Sequence, residues 1–294
     1  MAEALRVAVR RGEFVECVHE VHTVAVRDGE VLVSAGDPSL VASLRSAAKP
    51  LQALPLARAY ADLGDEELAI AAASHYGTPR HVEAVRKLLA ATGGSEDELD
   101  CGLQEGRPPQ AIYDNCSGKH AGMLATCRAN GWPVEGYRRP DHPLQRLLRD
   151  EVAAATDLEP EEVATGIDGC GVVAFAVPLE RAALAYSRLE QLDGGARIAA
   201  AMRAHPELVG GEGATDTVLM QADPGTVAKG GAEGLLCAGG AGTGFALKVV
   251  DGNPRALRPA LAALASQLGV PLAGFEQVPV ANRHGDAAAT VSIL

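Results

Sequence analysis

Aromatic side chains are scarce in this 294-residue chain. It has one Trp, five Tyr and four Phe, so Ala, Val and Leu must build its core. Positive charge is also short, with 26 Lys and Arg against 38 Asp and Glu. The resulting net charge of −12 argues against nucleic acid, whose phosphates need a basic surface, and against an anionic membrane surface. No apolar run reaches the roughly 18 residues that a membrane helix needs. The opening Met1-Ala2-Glu3-Ala4-Leu5-Arg6 lacks the charged-then-apolar pattern of a secretory signal, so a cytoplasmic protein is expected. The six cysteines are too sparse for a disulfide scaffold and read as free thiols or ligands. Linkers, internal repeats and βαβ alternation are also missing.

What is present divides by position. Residues 4–11, 20–27 and 30–35 read as strands, the last two joined at Asp28-Gly29 as a hairpin. Glu16 and His19 between them read as surface polar residues. From Pro38 the pattern turns helical, with a short element over 39–44 and a helix over 50–63 kinked at Pro55. Further helices are predicted over 80–92, up to Ala129, 143–155, 178–188, 196–204 and 215–221. Strands return over 226–229, 234–238, 244–250, 277–280 and 288–293, with a last helix over 255–268. Strands at both ends and helices between predict an α+β fold with an antiparallel sheet. The chain reads as one catalytic domain over 1–294, with a helical insertion about 38–222.

Three stretches carry possible chemistry. In Arg45-Ser46-Ala47-Ala48-Lys49-Pro50, Pro50 belongs in a first helical turn, which puts Ser46 at or beside the N-cap and Lys49 one turn inward on the same face. That suits a nucleophile with a lysine base, although a plain capped helix with Lys49 in solvent is the more ordinary reading of these residues alone. Cys116, Lys119, His120 and Cys170 lie near glycines, and two thiolates with a nitrogen suit zinc. Buried structural cysteines would look the same. Lys229-Gly230-Gly231-Ala232-Glu233-Gly234 is a hairpin edge, or an edge along which a substrate lies. An S-x-x-K, a polar motif in the helical middle and a K-x-G on a late strand occur in this order in serine β-lactamases and penicillin-binding proteins.

Nearly the whole chain resembles the L-asparaginase II family of the Rhizobium etli, or thermolabile, type. The resemblance rests on Arg11-Gly12-x-x-Val15-Glu16-x-x-His19, on Arg45 to Ala53, on Ala73-Ser74-His75, and on Asn115-Cys116-Ser117-Gly118-Lys119-His120 with its continuation to Leu124. It continues in Asp168-Gly169-Cys170-Gly171, His205-Pro206 and Lys229 to Gly234. The chain departs from the family pattern at Thr78 and at Tyr113-Asp114. The resemblance implies a serine β-lactamase-like fold, hydrolysis of L-asparagine to L-aspartate and ammonia, and a homodimer. It implies two serine–lysine pairs, Ser46 with Lys49 and Ser74 with Lys229, and a Zn2+ site of Cys116, Lys119 and Cys170.

The mechanism expected from this has Ser46 attack the amide and Lys49 take its proton, with Ser74 and Lys229 serving the leaving ammonia. Arg45, Asn115, His120, Asp168 and Gly171 are expected around the substrate and the metal. The zinc would position the substrate's amino-acid end. Competing readings are a zinc-bound hydroxide as attacking group, a β-lactamase-like amidase or glutaminase on another amide, and a non-catalytic zinc-binding relative.

Overall fold

The computed structural model describes residues 2–294. Its spine is β2 (Phe14–Arg27), which follows β1 (Leu5–Arg11) through a tight turn at Gly12. Along β2, Val24, Ala25 and Val26 are all buried, so both faces are covered there. β1 and then β3 (Glu30–Ala35) pair antiparallel along one edge of β2, and β9 (Thr243–Val249) takes the other edge. The Asp28-Gly29 hairpin turn forms as predicted, with both residues at positive φ. With β7 (Val227–Gly231), β8 (Leu235–Gly240), β10 (Gln277–Ala281) and β11 (Ala287–Ile293), the sheet runs β10-β11-β1-β2-β9-β8-β7. N- and C-terminal strands therefore build one antiparallel sheet. Pro279 sits in the edge strand β10, where its missing donor costs no ladder bond.

Between the strand-rich ends come α1 (Lys49–Gln52), α2 (Leu54–Ala59), α3 (Asp65–Ala71), α4 (Pro79–Ala91), α5 (Ser117–Ala129) and α6 (Pro143–Thr156). They are followed by α7 (Leu179–Ser187), α8 (Gly195–Ala204), α9 (Pro206–Val209) and α10 (Thr215–Ala222), and α11 (Leu257–Gln267) lies between β9 and β10. The expected 50–63 helix is two, α1 and α2, because Pro50 and Pro55 each restart the chain near a first helical turn. The middle is also not wholly helical. The stretch 39–44, expected as a short helix, contains strand β4 (Val41–Ser43), which joins β6 (Val173–Pro178) and β5 (Ala164–Ile167) in a small antiparallel sheet.

Small residues set the layer spacings. α7 packs on β8 and β9. A Cβ on Gly244 would come within 1.9 Å of Ala183 O, and one on Gly118 within 2.1 Å of Ile70 O. The second contact seats the start of α5 directly on the end of α3. That packing brings the 74–77 loop, the start of α5 and the Ser46 turn together.

Candidate active site

Ser46 lies inside a 3-10 turn, Arg45–Ala48, that runs into α1. Leu44, not Ser46, takes the N-cap place, and Pro50 is the second residue of α1, which is why the turn begins one residue earlier than Pro50 suggested. Leu44 N donates to Phe175 O at 2.8 Å, anchoring the turn on β6. Arg45 adopts a left-handed φ of 45°, a strained conformation for a residue with a side chain. Its Nε donates to Asp168 Oδ1 at 2.8 Å, which holds that conformation. A Cβ on Gly231 would come within 2.6 Å of Leu44 O, so the glycine edge of β7 is there to admit the Ser46 turn. Ser46, Ser74, Asn115, Asp216, Lys229 and the half-exposed Tyr76 line one cleft of about 650 Å³.

Lys49 is 1% exposed. Its Nζ donates to Ala73 O at 2.6 Å and Asn115 O at 3.4 Å, and lies 3.0 Å from Ser74 Oγ. Burial pushes this ammonium below the usual lysine range; Cys116 pulls it back, and Lys119 and Lys229 push it further down. Two of its contacts are carbonyls, which only accept, while the hydroxyl can also donate. The same three contacts therefore serve a neutral amine that receives the Ser74 O–H. Ser74 N donates to Val209 O at 2.8 Å and His75 N to Asn115 O at 3.2 Å, fixing the loop. Gly77 N donates to His75 Nδ1 at 3.0 Å, so His75 Nε2 carries the proton and donates to Ser117 Oγ at 2.9 Å.

The expected pairs are rearranged. Lys49 meets Ser74, and Lys229 meets Asp216 Oδ2 at 2.9 Å inside the protein. Asp216 stands in the first turn of α10, which packs on β7, and Gly230 N also donates to its Oδ2 at 3.0 Å. The strand spacing alone could not foresee this carboxylate. Burial raises the Asp216 carboxyl, but Lys229, Gly230 N–H and Thr217 N–H outweigh burial and leave it below the usual range.

Beyond Lys49 lies a thiol centre. Lys119 Nζ donates to Cys170 Sγ at 3.0 Å, and the free thiols of Cys170 and Cys116 share a hydrogen bond. That bond, with Lys119 nearby, holds the Cys116 thiol well below its usual range and raises Cys170. Burial lowers Lys119, but Cys116 and Cys170 overcome it and raise this ammonium. Cys116 N donates to Asp114 Oδ1 at 2.8 Å. Asp168 and Gly171 close the turn carrying Cys170, with Gly171 N donating to Asp168 O at 2.9 Å. His120 Nδ1 pairs with Tyr137 Oη at 2.6 Å, and its buried Nε2 has no partner. Lys119 and Cys116 thus both meet Cys170, and two thiols are donors of a kind that zinc accepts. No cluster of three His, Cys, Asp or Glu suited to a metal occurs among the described residues.

The remaining predicted residues are placed as follows. Asn115 supplies its carbonyl to Lys49 and its N–H to Gln104 Oε1 at 3.0 Å. Thr78 Oγ1 bonds His81 Nδ1 at 2.6 Å, away from Lys49. His19 is buried, not surface: Asp251 Oδ2 lies 2.6 Å from its Nδ1, and its Nε2 accepts from Arg255 Nε at 2.8 Å. Arg255 lines the far side of the cleft.

Among solved structures, the chain aligns with "Mglu" at 14% identity and a TM-score of 0.47, covering 86% of this chain and 68% of that one. Mglu in 4.3M NaCl aligns at 16% and 0.48, covering 86% and 62%. A β-lactamase from Mycobacterium bovis aligns at 17% and 0.34, covering 79% and 88%. Alignments this loose speak for nothing beyond themselves. No curated protein matches the sequence. The model of the L-asparaginase II family matches residues 7–292, and the chain belongs to that family of amidohydrolases.

Proposed function

We propose that the protein hydrolyses L-asparagine to L-aspartate and ammonia through an acyl-enzyme on Ser46. The observation that carries this reading is the buried Lys49, set against Ser74 in a cleft that Ser46 also lines. Ser46 Oγ attacks the side-chain amide carbon while its proton passes to Lys49 Nζ. Lys49 relays a proton through Ser74 to the amide nitrogen, which departs as ammonia. The Ser46 backbone N–H faces the developing oxyanion. Water, deprotonated by the same Lys49–Ser74 relay, then hydrolyses the ester and frees Ser46. The left-handed Arg45, held by Asp168, presents Ser46 to the cleft.

Cys116, Lys119 and Cys170 would hold Zn2+, which supplies a Lewis acid beside the substrate's amino-acid end. Lys119 must give up its proton to bind. Asp168 and His120 stand around that site. The family resemblance extends the reading to a cytoplasmic homodimer, and sedimentation of the purified protein tests the oligomer.

The test is ammonia release from L-asparagine, L-glutamine and simple primary amides, compared at equal concentration. Preferential release from asparagine supports the reading. Release from none of them contradicts it.

A further inference from the structure

Of the cysteines, Cys17 is partly exposed and all the others are buried. It stands on β2, two residues before His19 and on the same face. His19 Nε2 lies 3.5 Å from Cys17 Sγ and accepts from Arg255 Nε at 2.8 Å. The ring proton is therefore on Nδ1, which donates to Asp251 Oδ2 at 2.6 Å. Asp251 is fixed in turn, because its Oδ1 accepts from Asn253 N at 3.0 Å. Arg255 Nη2 donates to Cys17 Sγ at 3.0 Å.

A thiol, an imidazole with its lone pair on the thiol side and a carboxylate behind the ring stand in the order nucleophile, base and orienting group. Passing the Cys17 proton to His19 Nε2 would leave alternating charges. The thiolate would lie between imidazolium and guanidinium, with the Asp251 carboxylate on the far side of the ring. Nothing in the proposed amide chemistry uses this cluster. Arg255 is exposed and uses two of its five N–H donors here, which leaves others for an anionic group arriving beside Sγ.

We infer that Cys17 is a modification site, a thiol that exchanges with small disulfides bearing an anionic group. Its proton goes to His19, and Sγ attacks one sulfur of the disulfide. The new Sγ–S bond forms as the old S–S bond breaks, and the departing thiolate takes the proton from His19. The disulfide is the oxidant, so Cys17 is oxidised and the departing half is reduced. Arg255 also lines the cleft, so a group that displaces it from Sγ alters the cleft's far wall. The inference stands apart from the amide reading and survives its failure.

The experiment treats the purified full chain at neutral pH with dithiobis(nitrobenzoate), an anionic disulfide, and with the neutral hydroxyethyl disulfide. One equivalent should react in a fast phase, and peptide mass mapping should place it on Cys17. That phase should be at least tenfold faster than the same cysteine in the urea-unfolded chain. His19→Gln should slow both reagents at least tenfold. Arg255→Gln should slow the anionic reagent at least fivefold more than the neutral one. If His19→Gln does not fold, the exposed Arg255 and the mapping of the wild type still carry the test. A fast phase mapped to another cysteine, a Cys17 no faster folded than unfolded, or a folded variant with unchanged rates would each overturn the inference.

Discussion

Lys49 Nζ and Ser74 Oγ, 25 residues apart in sequence, lie 3.0 Å from each other in the cleft that holds Ser46. In the proposed mechanism Lys49 is the base that serves both serines. Replacing it by Met should lower kcat by about 10²–10⁴-fold, the range of a lost general base. The fold should be as stable or more so, because a buried amine disappears. Ammonia release and thermal unfolding of Lys49→Met read the two effects separately.

The same lysine gives a pH signature. Its pKa is lower in the folded than in the unfolded chain. Between those two values the unfolded state binds more protons, so stability rises with pH, up to the free lysine value of about 10.4. Urea unfolding at several alkaline pH values should show this slope in the wild type and lose it in Lys49→Met.

Asp216 acts with the opposite chemistry. Its folded pKa lies below its unfolded one, so its stabilisation is present above the free carboxylate value of about 3.9 and is lost as pH falls through the folded value. Asp216→Asn should flatten that acid limb and cost about 3–5 kcal/mol at neutral pH by leaving the Lys229 charge unpaired. Acid and urea titrations followed by circular dichroism measure both.

The β7 edge should tolerate no side chain at Gly231. A Cβ there would come within 2.6 Å of Leu44 O. Gly231→Ala is expected to cost about 1–3 kcal/mol of stability and to displace the Ser46 turn. Activity should fall more than tenfold in protein that remains folded at the assay temperature.

Zinc loading should release protons. Cys170 and Lys119 are both shifted towards their protonated forms, and a ligand must lose its proton to bind the metal. Protons should therefore appear in a weakly buffered titration as zinc is added. Cys116→Ser should weaken zinc binding strongly.

Much of this arrangement is legible in the sequence. The hairpin, the sheet built from both ends and the Ser46, Lys49 and thiol stretches follow from alternation, proline placement and motif. Strand β6 escapes because Ala174 and Ala176 occupy the outward positions where polar residues would have marked a period of two. Asp216 escapes because an acid in a helix's first turn reads as ordinary dipole complementation. His19 escapes because its partners, Asp251 and Arg255, come from the other end of the chain. Which serine Lys49 meets depends on the seating of α5 on α3, and no local spacing encodes that contact.

The central claim is that Ser46 is the group acylated by the side-chain amide of asparagine. Ammonia release from L-asparagine and L-glutamine, measured side by side for the wild type and Ser46→Ala, tests it most directly. Release from asparagine that vanishes in Ser46→Ala is the predicted result; release that survives the substitution would contradict it and move the chemistry to Ser74 or to a metal-bound water.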